Sequence, residues 1–289
     1  MKIKLIVDSA CDLPISYINE NNIDFVSLEV NIKGKFFKDD FGKTISYDDF
    51  YALLRNGEMT STSQVNVFTF EEKFESYVKE GYSIIYIGLS SALSGTVSSA
   101  IKARENLSEK YSHTDISIID SKSVSLGIGA LVYYANDMIK NGKEKECIVR
   151  WLESNTLKIN HAIVLNDLIH LKRGGRISGT SATVGTLLNI KPSLIVDKQG
   201  KVVPGSKIKG RKKALKYIIN EIKEKGLDLN NQVLFIAHAD CLEEAKELKE
   251  MILLEVNVKD IIINSIGTVI GTHGGPGTLA AIFLGKERE

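Results

Sequence analysis

Short apolar runs recur along the chain, each closed by turn chemistry and followed by a stretch with helical spacing. This predicts strands and helices alternating around a largely parallel sheet. The first run is Ile3–Val7, after which Asp12 reads as a helix N-cap with Pro14 in the first helical turn. Thr60-Ser61-Thr62-Ser63-Gln64 is an irregular hydroxyl-rich stretch before a helix over Phe70–Val78. Ser83–Gly88 is the next clear strand, and it passes through Leu89-Ser90-Ser91-Ala92-Leu93-Ser94-Gly95-Thr96 into a helix from about Val97 to Leu107. Ile116–Ile119 precedes a long uncharged helical segment from about Val124 to Lys140, with Gly142 as its stop signal.

The texture changes after Trp151. His161–Leu165 reads as a strand and Asn166–Lys172 as a short helix; Arg173-Gly174-Gly175-Arg176 breaks the chain before another uncharged helix around Thr180–Leu188. Pro192–Val196 and Lys201–Pro204 flank Asp197-Lys198-Gln199-Gly200 as a hairpin. Leu215, Ile218, Ile219 and Ile222 form one helix face, and strands over Val233–Ala237 and Asp260–Asn264 enclose a helix over Leu242–Leu254. These patterns place a boundary near residues 150 to 160 and predict two α/β domains, 1–155 and 156–289, with the last strand free to return to the interface between them.

Ile261 to Gly285 holds 25 residues without Asp, Glu, Lys or Arg, long enough on length alone to span a bilayer. Its middle, Gly271-Thr272-His273-Gly274-Gly275-Pro276-Gly277, breaks it into two short arms, so it reads as two buried strands joined by a glycine-rich loop. The N-terminus carries charge through its apolar stretch and reaches Asp8 at once, as a strand does and a signal peptide does not. A cytoplasmic protein without an integral membrane segment is expected.

Composition narrows the function classes. Against 37 Lys+Arg stand 36 Asp+Glu, so no global field exists to hold nucleic acid or an anionic membrane. Cys11, Cys147 and Cys241 are far apart and the five histidines form no metal-spaced pair, so neither disulfide nor metal site is expected. No G-x-G-x-x-G follows the first strand, and neither a phosphate-loop motif nor G-x-S-x-G occurs.

What remains is hydroxyl chemistry. Ser94, with Gly95 and Thr96, sits where a strand turns into a helix, so unpaired backbone N–H groups and the helix dipole favour an anion there. The plain alternative is that Ser94 or Thr96 only caps the helix. Thr62 belongs to a cluster that, alone, reads first as capping or a loop, with ligand contact the lesser reading. The aspartates of Asp8-Ser9 and Asp120-Ser121 stand at strand ends, where tying down a turn is the ordinary role. Arg173 and Arg176 flank two glycines and suit a carboxylate or phosphate, or else bond local carbonyls across a tight turn. The basic run Lys207, Lys209, Arg211, Lys212 and Lys213 solvates a helix start or faces an acidic partner protein. Of the histidines, only His273, inside the glycine-rich loop, invites a functional role.

Taken together, these segments resemble the DegV family, bacterial fatty-acid-binding proteins of the FakB type. Asp8-Ser9-Ala10-Cys11-Asp12-Leu13-Pro14 is similar to the family's opening D-S-x-x-D-L-P, and Thr62-Ser63-Gln64 to its T-S-Q. Leu93-Ser94-Gly95-Thr96 with Ser98-Ser99-Ala100 is similar to L-S-G-T-x-x-S-A, and Arg173-Gly174-Gly175-Arg176-Ile177-Ser178 and Gly271–Gly277 complete the set. Two departures stand out: Val65-Asn66 where the family often has Pro-Ser, and Ala280 where a further glycine is usual. The resemblance implies a Rossmann-like N-terminal domain and a second α/β domain with a mixed sheet. It also implies a buried long-chain fatty acid, palmitate-like, whose carboxylate is held by Thr62 and Ser94 with His273 nearby, and no cofactor beyond that ligand. The implied role is a carrier in fatty acid uptake and phospholipid metabolism, which presents the acyl group to a separate fatty acid kinase. The competing expectation is an enzyme acting on a small phosphorylated substrate at the Ser94 helix terminus, with Arg173, Arg176 and His273 stabilising charge.

Overall fold

Thirteen strands and ten helices are present among residues 2–177 and 189–289, which the computed structural model describes. The first part of the chain runs β1 (Ile3–Asp8), α1 (Ile15–Glu20), β2 (Asp24–Val26), β3 (Glu29–Ile32), β4 (Lys35–Lys38), α2 (Tyr47–Arg55), β5 (Thr60–Ser63) and α3 (Val67–Lys79). It continues with β6 (Ser83–Gly88), α4 (Thr96–Lys110), β7 (Ile116–Asp120), α5 (Leu126–Lys140) and α6 (Lys145–Asn155). The remainder is β8 (Ile159–Val164), α7 (Ile169–Arg173), β9 (Ile190–Val196), β10 (Val202–Lys209), α8 (Arg211–Lys225), β11 (Val233–His238), α9 (Leu242–Glu255), β12 (Asp260–Ser265), α10 (Thr268–Gly274) and β13 (Leu279–Leu284).

The strands form three sheets. The first, β2-β1-β6-β7, is parallel throughout, as right-handed β-α crossovers require. Every residue of β6 is buried, because helices cover both faces. The second, β10-β9-β8-β13-β11-β12, is mixed: β11 and β12 run parallel, while β13 inserts antiparallel between β11 and β8. The third is a small antiparallel sheet, β4-β3-β5.

Helix α5 explains the uncharged stretch noted in the sequence. It packs against β1 and β6 of the parallel sheet and against β8, β11 and β13 of the mixed sheet, so it has no broad face left for solvent. Its backbone approaches both sides closely. A Cβ on Gly127 would fall 2.2 Å from Nε2 of His161, and one on Gly129 would fall 2.8 Å from the Cys11 carbonyl oxygen. The opposite face of the mixed sheet carries a separate apolar cluster built with α8 and α9, including Leu215, Ile218, Ile219 and Ile222 of the expected helix face.

Four sequence expectations change. Asp12 does not N-cap α1: it is fully buried with a left-handed backbone (φ 51°) that closes the short 3-10 turn Ser9–Cys11, and Pro14 is the residue that precedes α1. Thr60–Ser63 is a strand, paired with β3, where an irregular stretch was expected. The glycine-rich segment after β12 folds largely as α10 before its turn. The short helix expected at Asn166–Lys172 begins later, at Ile169. The helix expected around Thr180–Leu188 lies outside the described residues. No helix among the described residues is long and apolar enough to cross a membrane.

Candidate functional site

Parallel sheets leave a crevice beyond the carboxyl ends of their strands, and here the mixed sheet closes it. The result is a cavity of about 430 Å³. One wall comes from the segments that follow β6 and β7, through Leu89, Leu93, Val124 and Ser125. The facing wall is the inner side of the mixed sheet, through Ile163, Leu194, Ala237, Ala280 and Ile282. Leu28, just before β3, and Thr62 of β5 also contribute, as do Ile266, Val269, Ile270 and His273 from α10 and its approach. The lining is mostly aliphatic, with a polar cluster around β5, the start of α4 and the end of α10, and with Ser125 and His161 as further polar wall residues.

In that polar cluster β5 and α10 are joined side by side. Thr60 Oγ1 donates to Thr272 Oγ1 (3.1 Å), and one step along, Thr62 Oγ1 lies 2.9 Å from His273 Nε2. Nδ1 of His273 is buried against Gly174 and has no partner among the described residues. A buried orphan N–H is rarer than an orphan acceptor, so we assign the proton to Nε2. His273 then donates to Thr62, and the Thr62 hydroxyl is free to donate into the cavity. Burial, the Arg176 charge and His170 push the His273 pKa down to about 4, so the ring is neutral near pH 7.

The Ser94 end is built from the start of α4. Ser94 Oγ lies 2.9 Å from Thr96 Oγ1 and accepts a long bond from the Thr96 N–H (3.3 Å). Capping and an outward-facing hydroxyl therefore coexist, since Ser94 retains its own O–H when Thr96 donates. Gln64 ties this turn to β5: its amide donates to Ser99 Oγ (3.1 Å) and lies so close over Gly95 that a Cβ there would be 2.1 Å from Oε1. Thr62, Ser94, Gly95, Arg176 and His273 thus all line one cavity.

The two arginines separate. Arg176 lines the cavity, but its guanidinium is occupied by the Gly174 carbonyl (2.7 Å) and the Leu93 carbonyl (3.3 Å), which is the carbonyl-bonding alternative weighed from the sequence. Arg173 is exposed and lies outside the cavity, in a surface depression with Glu58 and His170. Thr96 is buried behind Ser94. Asp120 ties down the Ser91 and Lys122 turn, and Asp8 accepts from Tyr86 and the Leu89 N–H, so both strand-end aspartates serve structure. In the basic run, Arg211 pairs with Glu244.

Sequence reasoning missed Ser125 and Thr278, which line the cavity, and the cavity role of His161. His161 is buried beside the Val124 and Ile159 backbone, and burial depresses its pKa strongly, so it is a neutral wall residue. No local signal marks these positions, because β8 and α5 meet only in the folded chain. Of the two departures, Ala280 puts a methyl on the cavity wall, and Asn66 N-caps α3 through the Thr69 N–H.

A mixed α/β architecture enclosing an apolar cavity with a hydroxyl-rich end defines a class of small-molecule-binding fold. The chain belongs to the DegV family, whose pattern, described as that of an uncharacterised protein, matches residues 2–286. A DegV domain-containing protein of Clostridium perfringens is 48% identical over all of this chain and 99% of its own. A fatty-acid-binding DegV family protein of Streptococcus agalactiae has a solved structure similar at a TM-score of 0.85, with 30% identity over 99% of this chain and 100% of that one. A DegV family structure from Thermus thermophilus, solved for its fatty acid binding, is similar at a TM-score of 0.89, with 28% identity over 99% of this chain and 100% of that one.

Proposed function

We propose that this protein binds one long-chain fatty acid in the cavity, with the carboxylate hydrogen-bonded by Thr62 and Ser94. The observation that carries this reading is the cavity's polarity: mostly aliphatic, with donor hydroxyls clustered at Thr62 and Ser94. The fatty-acid-binding relatives of the same fold support it. Affinity comes mainly from the tail. At about 0.8 kcal/mol per buried CH₂, roughly fourteen methylenes give on the order of 11 kcal/mol before ordering costs. One hydrogen bond to a charged group adds about 1.5–3 kcal/mol. Neutral hydroxyls hold the head without burying a second formal charge, whose desolvation offsets much of its attraction.

Thr62, Ser94 and His273 are only half-buried, so the carboxylate end stands near the surface while the tail is enclosed. That arrangement suits a carrier in the cytoplasm, one that offers its carboxylate to a separate kinase and retains the acyl chain. The Thr62–His273 pair looks like a nucleophile and base, the one feature that favours the enzyme reading. No described residue orients His273 through Nδ1, however, and with its proton on Nε2 it cannot take one from Thr62. The direct test is titration of delipidated protein with palmitate, beside mass spectrometry of an organic extract of the purified protein. Saturable binding and a recovered long-chain acid are expected. Absence of both, with turnover of small phosphorylated compounds, would establish the enzyme reading instead.

A further inference from the structure

Behind the cavity wall lies a group of carboxyls that the ligand never touches. Asp12 and Asp39 come from separate N-terminal segments and meet at the start of α10. Asp12 Oδ1 accepts from the Gly267 N–H (2.9 Å), while Asp39 Oδ1 accepts from the Thr268 N–H (3.1 Å) and hydroxyl (2.8 Å). Both residues are buried. Both press on Gly267: a Cβ there would lie 2.8 Å from Asp12 Oδ1 and 3.1 Å from Asp39 Oδ1. No salt bridge reaches either residue among the described residues. The charged groups acting on the pair are Asp8 from β1 and Asp40 beside Asp39; Cys11 and, from α2, Tyr47 and Tyr51 also face it, and none of these supplies a positive charge.

The pair also touches the cavity wall directly. The Asp39 N–H donates to the Leu28 carbonyl (2.9 Å), and the Ser125 hydroxyl donates to Asp12. Ser125 has a positive φ of 53°, unusual for a residue with a side chain, and lines the cavity, as do Leu28 and Ile266 beside Gly267. Two turns of helix separate the pair from His273 at the other end of α10.

We infer that Asp12 and Asp39 are positioning residues: acting through α10, they set His273 against Thr62 and make the grip on the fatty acid carboxylate depend on their protonation. This rests on the fatty acid reading of the cavity. Two buried carboxyls against the same glycine, where no described residue supplies a cation, cannot both ionise at low cost. Burial holds both above the ordinary carboxylate range, Asp39 at about 6 and Asp12 well above its usual value, so Asp39 is the first to ionise. A carboxyl whose folded pKa is raised favours the folded arrangement at low pH, and that contribution is lost as pH rises through the folded value. As Asp39 ionises, the start of α10 carries a buried charge without a counterion and loosens, and His273 leaves Thr62.

The experiment measures palmitate affinity of the full chain from pH 5.5 to 8.5 for wild type, Asp39→Asn and Asp12→Asn. The ligand's own carboxyl titrates alike against each protein, so ratios between them report the pair. Wild type is expected to lose affinity relative to Asp39→Asn by about fivefold or more as pH rises, a usual size for coupling between sites. Asp39→Asn keeps an acceptor for Thr268 and removes the ionising group. Should that variant fold poorly, calorimetry on wild type with a long-chain alcohol, in two buffers of different ionisation enthalpy near pH 7.5, gives the same answer. Proton uptake by the protein on binding supports the proposal, and none overturns it. Superimposable pH profiles in wild type and folded variants overturn it too, while leaving the fatty acid reading intact. No saturable binding of palmitate by wild type would overturn both.

Discussion

At the residue level, Ser94 and Thr62 carry the most direct consequence. Each supplies one hydroxyl to the polar end of the cavity and little to the core. Ser94→Ala and Thr62→Val are each expected to weaken palmitate binding by about 1.5–3 kcal/mol, with the melting temperature nearly unchanged in Ser94→Ala and lowered in Thr62→Val, which leaves the His273 N–H without its acceptor. Titration beside a thermal melt checks this, and equal losses in both would return Ser94 to a purely capping role. His161 makes the opposite case. A neutral imidazole buried on the cavity wall carries a desolvation cost, so His161→Leu should leave stability in a urea melt unchanged or higher, without loss of palmitate binding. The site was partly legible in sequence because Ser94 and Thr62 sit in hydroxyl-rich runs. Arg176 was ambiguous because a guanidinium has the same donors for a ligand carboxylate and for the Leu93 carbonyl it actually bonds.

Elements were legible where their periodicity survives burial. The core strands β1, β6, β7 and β11 and the amphipathic helix α8 lie close to their expected spans, since each shows a continuous apolar run or a one-sided face. The hairpin β3–β4 and strand β5 were not seen: their residues mix lysines, phenylalanines and hydroxyls, and their pairing is set by one another. Helix α10 was hidden by its glycines, which weaken helix propensity; the two carboxylates at its start and the β5 rungs along its side hold it instead. Helix α5 is the most constrained element. Gly129→Ala would place a methyl against backbone at 2.8 Å and is expected to cost about 1–3 kcal/mol, read from a denaturant midpoint.

For the whole molecule, the largest apolar cluster runs from Leu5 through α5 to Ile282 and so crosses residue 155. We propose the 1–155 and 156–289 units as divisions of architecture, with a single cooperative unfolding transition expected in calorimetry. Palmitate at about 100 times its dissociation constant should add roughly 2.7 kcal/mol to stability and raise that transition by several degrees. Stability should also peak on the acid side of neutrality. Asp8 and Asp39, raised by burial to about 6, favour the fold in acid and lose that contribution as pH rises to about 6. His161 and His273, depressed by burial, gain theirs up to the usual imidazole value, while Asp12, raised further, goes on losing its share above it. Glu75, held down to about 2 by Lys110 and Tyr111, and Asp24, held below its usual value beside Lys73 despite burial, act oppositely and fail only in strong acid. A melting curve that climbs from pH 6 to 8 would contradict this balance.

Helix α5, clasped between two sheets, also decides where the molecule can breathe. Amides in α5 and β6 should be the last to exchange with deuterium, opening only in global unfolding. The walls of β5 and α10 are held by hydroxyl rungs and two buried carboxyls, and they should exchange earlier. We predict that an acyl chain enters past β5 and α10, at a rate set by how often those rungs open.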